Sequence, residues 1–284
     1  MSGKTMIVIG VLALASACSS PYEVGKSVGV DAPATASAET SQQVLDRRIA
    51  KDAEPMEFKD EATRGRAVRD FNYAWPKEAS AIPGLVSLLM QRRDEALVAQ
   101  KSEWESALAE FGDSDCVSCV NRGFGTTWEA LADLPRFLSL SAERYAYTGG
   151  AHGNSDFDAL VWDREANNGL GEGLDPLDLF VGEYEFGETV RGPYCEALIA
   201  KQNERRGNAG MADAEMLAAC PALDELTIIV GSSNGQTFDR IGLLAAPYVA
   251  GSYAEGPYEV TLPVTERVLQ AVKPEYLDAF SIAE

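Results

Sequence analysis

The chain has 284 residues, with 44 acidic against 24 basic side chains, a formal charge of −20, five cysteines and one histidine. So acidic a balance excludes nucleic acid as a partner, because phosphate recognition needs clustered Lys and Arg. It contains no G-x-x-x-x-G-K-[ST] and no dinucleotide fingerprint, so no cofactor is expected, and a lone histidine gives no basis for a metal centre.

Residues 1–17 hold Lys4, the apolar run Met6–Ala13 and then Leu14-Ala15-Ser16-Ala17 ahead of Cys18. A run of about 12 residues is too short for a ~30 Å hydrocarbon core, and its charged start and small-residue end are those of a cleaved export signal. The segment resembles bacterial lipoprotein signals, with Ala15 where Leu is more usual, and makes Cys18 the lipidation site. Ala15-Ser16-Ala17 is also an ordinary A-x-A cleavage site, which would release a free secreted protein. Parity favours the lipid: modifying Cys18 leaves four cysteines, an even set. By the same resemblance, Ser19 after the cysteine implies an outer-membrane protein facing the periplasm of a Gram-negative cell, with membrane contact through the lipid anchor only. Residues 18–55 are rich in Ala, Ser, Thr and Glu and read as a flexible tether.

The remainder is expected to be α+β, with two interlocked subdomains at 56–165 and 166–284. Arg66–Trp75 reads as a strand that stops at Pro76. From Pro83, Val86, Leu89, Met90, Leu97, Trp104, Leu108 and Phe111 recur at helical spacing, which predicts one long amphipathic helix up to Gly112. Cys116-Val-Ser-Cys119 follows between two stretches that read as loop, Gly112–Asp115 and Asn121–Gly125. That context argues against a thioredoxin-like role, which wants the first cysteine at a helix start after a strand. Phe137–Tyr147 and Phe157–Trp162 read as strands joined by the turn Gly149-Gly150-Ala151-His152-Gly153.

Beyond a short helical turn at Asp175–Phe180, helices are expected over Tyr194–Arg206 and Ala212–Ala219. Leu226–Val230 and Phe238–Leu244 then flank the hairpin signal Asn234-Gly235, and the strand Tyr258–Val264 leads into a closing helix, Thr265–Val272. Short strands mixed with helices, without regular βαβ spacing, give the α+β class. In an oxidising compartment the favoured disulfides are Cys116–Cys119 and Cys195–Cys220, out of three possible pairings.

Several residue patterns invite a chemical reading. His152 has Asp156 and Asp158 nearby, as a general base or metal ligand would want, but the glycines around it have a direct explanation as turn residues. Gly231-Ser-Ser-Asn-Gly235 is a formal G-x-S-x-G with Ser233 in the nucleophile place, yet His152 precedes it and the context reads as a hairpin. Carboxylates are too plentiful to single out a glycosidase pair. Trp75, Trp104, Trp128, Trp162, Tyr248, Tyr253 and Tyr258 are candidates for stacking on sugars, although such aromatics usually belong to the core.

Tyr147-Thr-Gly-Gly-Ala-His-Gly153, Leu177-Asp-Leu-Phe180, Ala246-Pro-Tyr-Val-Ala-Gly251 and Tyr258-Glu-Val-Thr-Leu-Pro263 together resemble a known family. It is the extracytoplasmic domain of unknown function, DUF4163 and DUF3298 type, found in the lysozyme-sensing anti-sigma factor RsiV and beside the catalytic domain of the deacetylase PdaC. The resemblance runs from Phe58 to the C-terminus. Anti-sigma activity belongs to a cytoplasmic segment, and deacetylation to a separate domain with an aspartate and two histidines, so neither carries over. The resemblance implies a non-catalytic binding or sensing module for a basic envelope protein such as lysozyme. A peptidoglycan-binding accessory protein is the alternative, and a hydrolase using His152 the third reading. The candidate binding residues are Tyr147, Gly149, Gly150, His152 and Tyr248.

Overall fold

The computed structural model describes residues 52–207 and 220–283. The expected export signal, Cys18, the tether up to residue 51 and the expected helix Ala212–Ala219 lie outside the described residues. The α+β class holds: a six-stranded and a three-stranded sheet pack with one long and one medium helix.

The larger sheet is β1 (Met56–Arg64), β2 (Ala67–Trp75), β3 (Arg122–Asp133), β4 (Phe137–Tyr147), β5 (Asn154–Asp163) and β6 (Glu172–Leu174), side by side in chain order. Every neighbouring pair is antiparallel except β2 and β3, which are parallel. A parallel pair needs a long crossover, and here it contains helix α1 (Pro83–Phe111). Pro83 starts the helix where its missing N–H is not needed. Leu85 and Leu89 of α1 pack against Phe71, Tyr73 and Trp75 of β2 and Trp128, Leu138 and Leu140 of the strands beyond. Further along the helix, Trp104 packs with Ala67 and Val120.

Helix α2 (Glu183–Arg206) is followed by an antiparallel meander of β7 (Thr227–Gly231), β8 (Arg240–Ala245) and β9 (Tyr258–Pro263), then by the short helix α3 (Glu266–Ala271). Phe186, Val190, Tyr194, Leu198 and Gln202 recur every fourth residue of α2 and are all buried, a single stripe in the core shared with β7, β8 and β9. This stripe corrects the expected start at Tyr194. Gly187, Gly192 and Pro193 look like helix breakers, but burying Phe186 and Val190 outweighs their poor propensity.

Two further corrections concern strands. Asn121–Gly125, read as loop, runs into β3 at Arg122, because partners on both sides, β2 and β4, hold a Gly-Phe-Gly segment extended. β1 was not anticipated, since none of its side chains is fully buried. Both favoured disulfides, Cys116–Cys119 and Cys195–Cys220, are present.

The two sheets meet at the base of β4. Leu138, Leu140 and Ala142 face α1, while Phe137 belongs to the core of the smaller sheet and the Ser139 hydroxyl donates to the Val230 carbonyl at 2.6 Å. The register of β3 shifts between Ala130 and Ala132. This bulge turns Ala132 into the second core, while Trp128 points into the first. No helix among the described residues is long and apolar enough to cross a membrane.

Candidate functional site

Past the shared core, β4 and β5 continue as a hairpin whose turn carries most of the candidate residues. Tyr147 ends β4, and its hydroxyl donates to the Gly150 carbonyl at 2.8 Å, closing the turn on itself. Gly149 and Gly150 have φ of 107° and 92°, values that a residue with a side chain rarely adopts. A Cβ on Gly149 would lie 3.0 Å from the Ser118 carbonyl oxygen and 3.8 Å from the Cys119 Cα, so the turn rests on the backbone of the Cys116–Cys119 bridge. Arg122 fixes that backbone in turn. Its Nη1 donates to the carbonyls of Cys119 at 3.0 Å and Asn121 at 2.8 Å, and its Nε lies 3.2 Å from a Glu103 carboxylate oxygen on α1.

His152 stands at the outer side of this turn, with Nδ1 2.8 Å from the Gly153 carbonyl. That carbonyl can only accept, so the geometry assigns the proton to Nδ1. The ring stacks on Tyr253 with centroids 3.9 Å apart and planes at 20°. Tyr253 neighbours Tyr248 at 5.6 Å and 30°, so the three rings form a row. Tyr248 is 60% exposed and Tyr253 37%. The four tryptophans and Tyr258 are all buried, which leaves Tyr248 and Tyr253 as the accessible members of the aromatic set read from the sequence.

The segment bearing these tyrosines is held from α2. Gln202 donates to the Ala250 carbonyl at 2.6 Å, and Arg205 to the carbonyls of Glu255 and Pro257. The Glu255 carboxylate accepts from the Ser252 N–H and hydroxyl at 2.8 and 2.9 Å, from the Tyr258 hydroxyl at 2.7 Å and from Arg206 Nε at 2.5 Å. Burial alone would raise its pKa, but the bonds from Arg206, Tyr258 and Ser252 outweigh burial and bring it down to about 2.

The structure therefore brings the turn of Tyr147, Gly149, Gly150 and His152 together with the segment of Tyr248, although about 95 residues separate the two. Tyr253 links them and was not among the named binding residues. Its place was signalled by Ser252-Tyr-Ala-Glu255, a capping-box sequence that fixes one helical turn.

The groups around His152 are engaged elsewhere. Arg144 binds Asp156 through two bonds of 2.7 and 2.8 Å, and Arg92 lies 3.4 Å from Asp158. Among the described residues no three His, Cys, Asp or Glu side chains are grouped to hold a metal. At the formal G-x-S-x-G, Ser233 donates its hydroxyl to Asp239, and the element that follows is strand β8. A nucleophile elbow needs a helix there.

Neither a family model nor a curated protein matches the chain. Among solved structures it is similar to a DUF3298 family member from Bacteroides fragilis, at 16% identity and a TM-score of 0.46 over 80% of this chain and 96% of that one. It is also similar to a DUF3298 family protein from Pseudomonas aeruginosa, at 15% identity and a TM-score of 0.48 over 82% of this chain and 98% of that one.

Proposed function

We propose that the protein is a non-catalytic binding or sensing module of the bacterial cell envelope, lipid-anchored at the outer membrane through Cys18, whose partner is a basic envelope protein of the lysozyme kind. The observation that carries this reading is the charge of −20 on a chain whose His152 turn and Tyr248 segment are held as one exposed surface. A field of that sign raises the encounter rate with a cationic protein and fades with added salt. Titration calorimetry of the mature chain with a basic lysozyme at two salt concentrations tests it. Saturable binding that weakens with salt is expected, and no binding at either concentration would overturn the choice of partner. Incorporation of labelled palmitate into the wild type and its loss in Cys18→Ala test the anchor.

One observation supports peptidoglycan as a second reading, namely the exposed ring of Tyr248, which offers a face on which a sugar can lie. Co-sedimentation with purified sacculi, compared before and after Tyr248→Ala, separates this reading from protein binding.

A further inference from the structure

We propose that the cleft between the first half of α2 and residues 221–226 is a binding site for a small uncharged molecule with an apolar body and one hydrogen-bonding oxygen. None of its lining residues belongs to the His152 turn or the Tyr248 segment, so the proposal goes beyond the reading of a basic partner.

The first argument is the shape of the cleft. One wall is α2, with Tyr184, Gly187 and Arg191, and the other carries Pro221, Leu223 and Leu226. Buried Leu243 of β8 and the ring of Tyr194 complete the lining. The Cys195–Cys220 bridge joins the residue after Tyr194 to the residue before Pro221, so a covalent link sets the spacing of the two walls. Arg191 reaches across to the Pro221 carbonyl at 3.4 Å. Gly187 keeps the helix wall low, since a Cβ there would already touch Leu223 at 3.6 Å. The volume, about 410 Å³, suits a small molecule and not the face of a protein.

The second argument is an orphaned hydroxyl. Tyr194 is 1% exposed, and its hydroxyl has no hydrogen-bond partner among the described residues. Buried hydroxyls are nearly always bonded, because one that leaves water without a new partner loses the bonds water gave it. This one looks towards the second wall. Burial pushes its pKa up to about 12, and the Glu225 carboxylate, from between Leu223 and Leu226, acts in the same direction. The hydroxyl therefore keeps its proton at neutral pH and has nothing to give it to. A ligand oxygen at the inner end of the cleft supplies the missing bond.

The lining narrows the ligand further. Its charged members, Glu183, Glu188 and Arg191, are all exposed and belong to the mouth. The interior is aliphatic and aromatic, so an apolar body gains by leaving water. An anionic head at Tyr194 would meet the field of Glu225. A cationic head would exchange its water for a neutral hydroxyl, with Glu225 already engaged by the Ala222 N–H at 2.7 Å. An uncharged hydroxyl or carbonyl oxygen meets neither cost.

Three eight-carbon probes that differ only in the head group test this: 1-octanol, octanoate and octylammonium, at neutral pH and physiological salt. In protein carrying ring-labelled tyrosine, the NMR signal missing from Tyr194→Phe is that of Tyr194. 1-Octanol is expected to shift this signal saturably, and the two charged probes to bind about ten-fold more weakly. By calorimetry, Tyr194→Phe should weaken 1-octanol about five-fold. The same variant should leave the urea midpoint unchanged or higher, because the hydroxyl it removes has no partner. Gly187→Leu should fill the cleft and abolish binding.

No saturable shift, equal binding of a charged probe, or an affinity unchanged in either variant would overturn the proposal. So would a urea midpoint clearly lowered by Tyr194→Phe, since that result would mean the hydroxyl is already bonded. If Gly187→Leu folds poorly, the two readouts on Tyr194→Phe still decide the matter.

Discussion

At the base of the β4–β5 hairpin, Phe137, Leu138 and Leu140 are buried between α1 and the smaller sheet. A few residues on in the same strand, Glu143, Tyr145 and Ala146 stand in solvent, yet the ladder between the strands continues to Ala146 and Asn154. The backbone pairing is the same at both ends, so the strands extend the frame beyond the core without needing side-chain packing to do so. Side chains at the base are constrained by volume. Those at the tip answer only to the turn they build, which is why Gly149, Gly150 and Gly153 and the exposed rings collect there.

The comparison breaks most readily at the base. Phe137→Ala removes a ring that lies 5.8 Å from Phe238 and 6.0 Å from Tyr276, and should lower the unfolding free energy by about 3 to 5 kcal/mol. A loss under about 1 kcal/mol in urea titration would mean that the two sheets do not depend on this contact.

Glu255→Gln comes next, at about 1 to 3 kcal/mol at neutral pH, because Arg206 loses its charged partner. Glu255 has a folded pKa of about 2 against an ordinary value of 4.5. Its contribution is therefore complete above about pH 4.5 and disappears as pH falls towards 2. Urea midpoints between pH 2 and 6 should converge for wild type and variant at the acid end. Curves that stay parallel would show that this carboxylate does not clamp the tyrosine segment.

Gly153→Ala places a Cβ 2.4 Å from the ring of Tyr145, which is 42% exposed and can swing away. A cost of about 1 kcal/mol is expected, together with a moved His152 proton signal. An unmoved signal would separate the ring row from the turn. Tyr248→Gly should have the smallest effect, unchanged stability or a gain under about 1 kcal/mol, since glycine accepts the φ of 75°. A loss above that size would show that the ring packs for stability, and would erase the contrast between base and tip.

Much of this frame was legible in the chain. Helix α1 announced itself by spacing and by Pro83, β4 by its partial alternation, and the two bridges by cysteines expected in an oxidising compartment, with the observed pairing the one favoured out of three. The segments that were missed lack a local signal. β1 carries a charged face, and β3 opens on Gly123 and Gly125, which only neighbouring strands can hold extended. The early part of α2 looks broken until its buried stripe is seen. At the site, the glycine turn was readable because positive φ selects residue type. The meeting of His152 with Tyr253 was not, because it depends on how Arg205, Arg206 and Gln202 of α2 hold a segment some 50 residues further on.

The order of the larger sheet also bears on how the chain assembles. Because strands β1 to β6 lie beside one another in the sequence in which they are synthesised, each finds its neighbour already in place as the chain lengthens. The exception is the parallel pair, where β3 cannot dock until the 29 residues of α1 have been made and folded across β2. Closure of that crossover is expected to set the pace of folding. Substitutions in the α1–β2 contact, such as Leu89→Ala, should then slow refolding more than equally destabilising changes in the β7–β9 meander.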